Sequence, residues 1–93
     1  MAVLVRIPTA LRPLTRGNAA LNLASAGETL GDLIDRLERD YPGVRDRLLD
    51  DTGDFRDGVN VYVDGEDARF LRGVGTRLVD GAEVSIVPAA AGG

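Results

Sequence analysis

The chain has 93 residues, 44% of them hydrophobic, which bounds it to one domain built on a single apolar core. It carries no Cys, no His and no Lys, since all 11 basic residues are Arg. This excludes a disulfide framework, a thiolate nucleophile, Cys/His zinc chemistry, a histidine general base and a Schiff-base lysine. A net charge of −4 argues against a nucleic-acid partner, and the absence of any long apolar run or leader pattern predicts a cytoplasmic chain with no membrane partner.

Ala2 to Ile7 is β-branched and apolar and predicts a first strand, ended by Pro8. Thr9 to Gly17, with Pro13 inside it, predicts a loop. Ala19 to Leu23 predicts a second strand, with Leu21 and Leu23 on one face. The clearest helix follows. Thr29 is placed to cap it, and Asp32 supplies the acidic half of a capping box. Leu30, Leu33, Ile34, Leu37 and Tyr41 recur at helical spacing, while Asp35, Arg36, Glu38 and Arg39 form a solvated face. Pro42-Gly43 stops the helix, whose length of roughly 18 Å lets it lie across a small sheet.

Val44 to Leu49 predicts one more helical turn, and the acidic stretch Asp50 to Gly58 a loop. Val59 to Val63 predicts a strand that turns at Asp64-Gly65. Phe70 to Val79, interrupted by Gly73 and Gly75, predicts an irregular crossing with a short strand after the glycines. Asp80-Gly81 is another turn. Ala82 to Val87 is the last predicted strand, with Val84 and Ile86 opposite Glu83 and Ser85, and Pro88 is expected to end its pairing. Strand, strand, helix and then two or three strands is an α+β order that matches the β-grasp topology.

Internal sites fail on inspection. Gly73 and Gly75 open a dinucleotide-like spacing, but its third glycine position is Leu78 and no strand–turn–helix surrounds it. Asp50, Thr52 and Asp54 resemble the start of a calcium loop, yet Phe55 and Val61 occupy its glycine and closing-glutamate positions, so no metal site is expected. Glu66 and Asp67 lack an apolar surround that would raise a carboxyl pKa, and Ser25 and Ser85 lack a base.

What remains is the chain end. It leaves a strand and a proline, continues through Ala89, Ala90 and Ala91, and finishes on Gly92-Gly93. The residues Asp80, Gly81, Glu83, Val84, Pro88, Gly92 and Gly93 resemble the ending of the MoaD/ThiS-type sulfur carriers. The stretch Ile7 to Pro13, the helix from Gly27 to Gly43 and the segment Val59 to Phe70 are similar to the CysO-type branch of that family. The resemblance implies a ubiquitin-like β-grasp domain over residues 1–88, with a mixed sheet of four or five strands and one main helix packed across it. It also implies a flexible tail over residues 89–93.

In function it implies a carrier and not an enzyme. The Gly93 carboxylate would be adenylated by an E1-like (MoeB/ThiF-type) sulfurtransferase and converted to a thiocarboxylate. No cofactor would be bound; ATP and a sulfur source would be used by the activating partner. The expected acceptor is a PLP-dependent cysteine synthase, with a metalloprotease releasing the product. Donation to molybdopterin, thiazole or a secondary metabolite stays open, as do a protein modifier and a non-covalent binding module. Gly92, Ala91, Ala90 and Ala89 would bind the partner as a thin extended tail, because glycine lets backbone approach closely and alanine adds little bulk. Ordering five such residues costs roughly 5–10 kcal/mol of backbone entropy, so a docking surface on the domain body is expected, with the exposed sheet face, Phe70 and Leu71 as candidates; a core role for Phe70 is equally open.

Overall fold

The computed structural model describes residues 2–24 and 29–88. It contains strands β1 (Val3–Arg6), β2 (Ala20–Leu23), β3 (Val59–Val63), β4 (Glu66–Asp67) and β5 (Glu83–Pro88), and helices α1 (Leu30–Asp40) and α2 (Val44–Leu48). The five strands form one mixed sheet in the order β2-β1-β5-β3-β4. β1 and β5 pair in parallel at its centre, with Val5 opposite Val84, and every other pairing is antiparallel. This is the β-grasp arrangement expected from the order of elements. Among the described residues no helix is long and apolar enough to cross a membrane.

Alternation decides which face of each strand is buried. Val3, Val5, Val61, Val63, Val84 and Ile86 point to one side of the sheet, where α1 covers them with Leu30, Leu33, Ile34 and Leu37, each at most 1% exposed. The start of α1 is fixed by the expected capping box. Thr29 Oγ1 accepts from Asp32 N (3.2 Å), and the Asp32 carboxylate accepts from Thr29 N (3.0 Å). Gly31 sits where α1 meets the 3₁₀ turn Gly73–Gly75, and a Cβ there would lie 3.2 Å from the Val74 carbonyl oxygen. At the far end Tyr41 packs partly against the core, with the Arg16 guanidinium 5.6 Å from its ring centre.

Several expectations are corrected. Thr9–Thr15, expected as a loop, winds into a 3₁₀ helix that buries Leu11 and Thr15. The buried Thr15 hydroxyl lies 3.0 Å from the Asn18 carbonyl and 3.3 Å from that of Arg12, so its polar group is satisfied locally. Glu38 is not merely solvated. Its carboxylate accepts from the backbone N–H groups of Gly43 (3.1 Å) and Arg45 (3.0 Å), which fastens the start of α2 to α1. Phe70–Val79 contains no strand; it holds the end of a 3₁₀ turn (Ala68–Phe70), the turn at Gly73–Gly75 and a single bridge between Arg77 and Thr29. Two-residue β4 completes a hairpin through Asp64 and Gly65, which adopt the left-handed φ values 51° and 87°.

Pro88 was expected to end pairing, yet it stands opposite Val59. The alternation of antiparallel hydrogen bonding accounts for this. Asp64 N donates to Glu83 O (2.8 Å), so counting in pairs along the ladder puts Val59 and Pro88 at a position that exchanges no N–H bond. A proline's missing donor costs the ladder nothing there.

The loop 50–58 is held by one carboxylate. Asp50 accepts from Thr52 Oγ1 (2.6 Å), Thr52 N (2.8 Å) and Asp54 N (3.2 Å). The Thr52 hydroxyl, then these backbone donors and the charge of Arg56, hold its pKa below the ordinary value of 3.8. Because the folded pKa lies below the unfolded one, this stabilisation is present above pH 3.8 and is lost as pH falls through the depressed value. Asp50→Asn is expected to flatten the acid limb of the stability curve in that window. Urea unfolding at a series of pH values below about 5 checks it, since an unaltered slope would show that Asp50 titrates alike in both states.

Candidate functional site

Gly93, Gly92, Ala91, Ala90 and Ala89, the residues expected to carry the chemistry and the partner contact, lie outside the described residues. The structure defines their anchor. β5 is the central strand of the sheet: Val84 and Ile86 are 1% and 5% exposed, and the strand is paired on one side with β1 and on the other with β3 as far as Pro88. The position from which the tail departs is therefore fixed by the most buried part of the fold. Five residues beyond Pro88 span at most about 17 Å when fully extended, so Gly93 can act no farther than that from the strand end.

The strands diverge around this exit. The β1–β5 ladder stops at Arg6 opposite Ser85, and β1 then leads through Ile7 and Pro8 into the 3₁₀ helix Thr9–Thr15. The gap opens a shallow cleft beside Ile86, Val87 and Pro88, with Arg6 and Arg12 on its rim. A second, smaller cleft lies against Pro88 between Leu11, Gly58 and Val59, with Arg47 on its rim. Arg6 is ion-paired to Glu83. Arg12 Nε donates to the Ile7 carbonyl (3.2 Å), which ties the 3₁₀ helix to the end of β1.

The sheet face turned away from α1 carries Leu4, Arg6, Asn60, Tyr62, Ser85 and Val87, as strand alternation and cross-strand register require. Leu4 and Tyr62 are half-buried, and Val87 is 40% exposed. Phe70 does not enter the core. It is 87% exposed at the end of a 3₁₀ turn whose inward residue is the fully buried Ala68, and Leu71 beside it is 38% exposed. Of the two readings open for Phe70, the surface one holds.

The internal sites dismissed on sequence have structural roles. Asp50 spends its carboxylate on its own loop, and Asp67 Oδ1 accepts from Arg69 N (2.9 Å) to cap the 3₁₀ turn. Gly73–Gly75 is a 3₁₀ turn and not the start of a helix after a strand. Ser25 lies outside the described residues. Among the described residues no group of three or more carboxylates is arranged to hold a metal ion. The two clefts beside Pro88 and their arginine rim were not visible in the sequence; the only signal was the Ile7 to Pro13 stretch, which contributes one wall.

Residues 5–93 match the model of the ThiS family. The sulfur carrier protein CysO of Mycobacterium tuberculosis is 45% identical to the chain, with the whole of each covered. A crystal structure of M. tuberculosis CysO superposes with a TM-score of 0.86 at 44% identity, covering 94% of this chain and 98% of that one. A crystal structure of the Amycolatopsis orientalis BexX/CysO complex gives a TM-score of 0.88 at 37% identity, covering 98% and 99%. Small archaeal modifier protein 3 of Haloferax volcanii is 42% identical over 70% of each chain.

Proposed function

The chain belongs to the ThiS family, and from that premise we propose that it is a sulfur carrier whose terminal Gly93 carboxylate is the working group. The observation that carries the reading is the full-length 45% identity to a sulfur carrier protein. The geometry supports it, because a buried central strand ends at Pro88, the fixed point from which the tail departs.

The chemistry follows from the electrophile. A carboxylate resists attack because its leaving group would be oxide. An E1-like (MoeB/ThiF-type) partner would join the Gly93 carboxylate to the α-phosphate of ATP, releasing pyrophosphate and leaving an acyl-adenylate. A sulfur nucleophile supplied through that partner then forms a C–S bond as the C–O bond to AMP breaks. Resolution to the thiocarboxylate replaces one oxygen of Gly93 by sulfur. The product is an anionic soft nucleophile, by analogy with low-pKa thiolates, so the carrier needs no cysteine of its own. The chain binds no cofactor in this scheme; ATP and the sulfur source belong to the partner.

The acceptor in this reading is a PLP-dependent cysteine synthase. The thiocarboxylate sulfur displaces the leaving group of an activated serine, and hydrolysis by a metalloprotease frees the amino acid from the carrier. The relative found as BexX/CysO shows that a CysO protein forms a complex with another chain. A second reading, covalent protein modification, is favoured by the likeness to a small archaeal modifier protein. One experiment separates them. The chain in thiocarboxylate form is incubated with a cysteine synthase of the same organism and an O-activated serine, and cell extracts are digested in parallel. Carrier function predicts a cysteine adduct on Gly93 and no lysine bearing the remnant of residues 78–93 that tryptic cleavage after Arg77 would leave. Remnants on lysines of other proteins, with no adduct, would establish the modifier.

A further inference from the structure

We infer that Arg12 and Arg47 form a cationic collar around the root of the tail that docks an acidic protein segment at the mouth of the activating enzyme's channel. The inference rests on the adenylation of Gly93 proposed above. It begins from a local reversal of charge. The chain has 15 acidic and 11 basic residues, yet neither cleft beside Pro88 has an Asp or Glu in its lining, and together they hold three arginines. Arg6 is neutralised by Glu83, as Arg36 is by Asp40 and Arg45 by Asp35. Arg12 and Arg47 have no carboxylate partner among the described residues. Arg12 is held only through Nε, by the Ile7 carbonyl, and Arg47 is exposed.

Reach decides what the collar meets. The reacting carboxyl lies up to about 17 Å beyond Pro88, so arginines at Pro88 are remote from the nucleotide phosphates when the tail is extended. They face whatever surrounds the entrance through which the tail is threaded. Two guanidiniums without a carboxylate partner among the described residues, in clefts that hold no acidic residue, favour an acidic lip at the end of the sheet from which the tail leaves. Arginine suits the task because its planar fork binds carboxylates in pairs of hydrogen bonds.

The test uses the full chain, its activating enzyme and ATP, with pyrophosphate exchange measured against carrier concentration. Wild-type chain must support exchange; its failure to do so would reject the adenylation reading itself, apart from the collar. Given exchange, Arg47→Glu and Arg12→Glu/Arg47→Glu are expected to raise KM, the double variant by about tenfold, with kcat within about twofold and the salt dependence of KM reduced. Arg12→Lys/Arg47→Lys keeps the charge and is expected to stay within about threefold of wild type. Because Arg12 also ties down the 3₁₀ helix, melting temperatures are compared, and the exposed Arg47 variant serves alone if Arg12→Glu lowers stability. A KM unchanged in folded Arg47→Glu and in the folded double variant would overturn the inference.

Discussion

A chain ending at Gly92 is expected to melt at the wild-type temperature and to lose at least about 10²-fold in the rate at which its terminus is adenylated. The stability half of this expectation follows from burial. Among the described residues the core lies within 3–86 and the last paired position is Pro88 opposite Val59, and a terminal glycine has no side chain with which to add to that core. The activity half follows from length. β5 fixes the origin of the tail, and removing one residue draws the reacting carboxyl back by about 3.5 Å. Reacting groups must approach within about 3–3.5 Å, and misplacement by even 1 Å costs on the order of 10²-fold. A frayed, incidental tail predicts no loss at all. Pyrophosphate exchange with the truncated chain, beside a thermal melt, reads both halves, and an active truncated chain would contradict the assignment of Gly93.

Leu37→Ala is expected to act the other way, on the fold. Leu37 is 1% exposed on the face of α1 that covers the sheet. Truncating a leucine so enclosed removes its transfer free energy and leaves a cavity, about 3 kcal/mol within a usual range of about 2–5. For a domain of this size that lowers the melting temperature by roughly 12–24 °C. Alanine is the best helix former, so the loss reports packing and not helix propensity. Circular dichroism against temperature checks it; a drop of only a few degrees would mean that the site collapses around the missing atoms.

The parts legible in the sequence are those fixed by near neighbours. The α1 cap needs only Thr29 and Asp32, and its buried face needs only the leucine spacing, so both were read correctly. Val59–Val63 and the Asp64-Gly65 turn follow from β-branched residues and a turn pair in the same way. The misread elements depend on distant partners or on parity. Glu38 lies on a polar helix face, and nothing local announces that it reaches the backbone of Gly43 and Arg45. Pro88 is tolerated in the ladder because of the register set by Asp64 and Glu83, which sequence pattern does not reveal. Phe70 reads as apolar, but Ala68 fills the core position of that turn and leaves the ring outside.

The site divides along the same line. The tail residues were named from the motif at the chain end, whereas the clefts at its root need β5, the segment 7–12, α2 and the start of β3 to be brought together from four parts of the chain. Arg12 and Arg47 are 35 positions apart and line adjoining clefts, which share Pro8, Ala10, Ile86 and Pro88, because β1 and β5 pair in parallel while α2 returns to the same end of the sheet. Taken alone, the net charge of −4 favours a basic partner surface for the protein as a whole. The local excess of arginine at the tail root reverses that expectation for the one region closest to the chemistry.

The most direct test of the central claim is the intact mass of the chain after incubation with ATP, a sulfide source and an E1-like enzyme of the same organism. The carrier chemistry predicts a gain equal to sulfur minus oxygen, localised to Gly93 by fragmentation and absent without ATP. An unchanged mass, with an enzyme shown to activate another carrier and with this chain bound to it, would contradict the account and leave a non-covalent binding module.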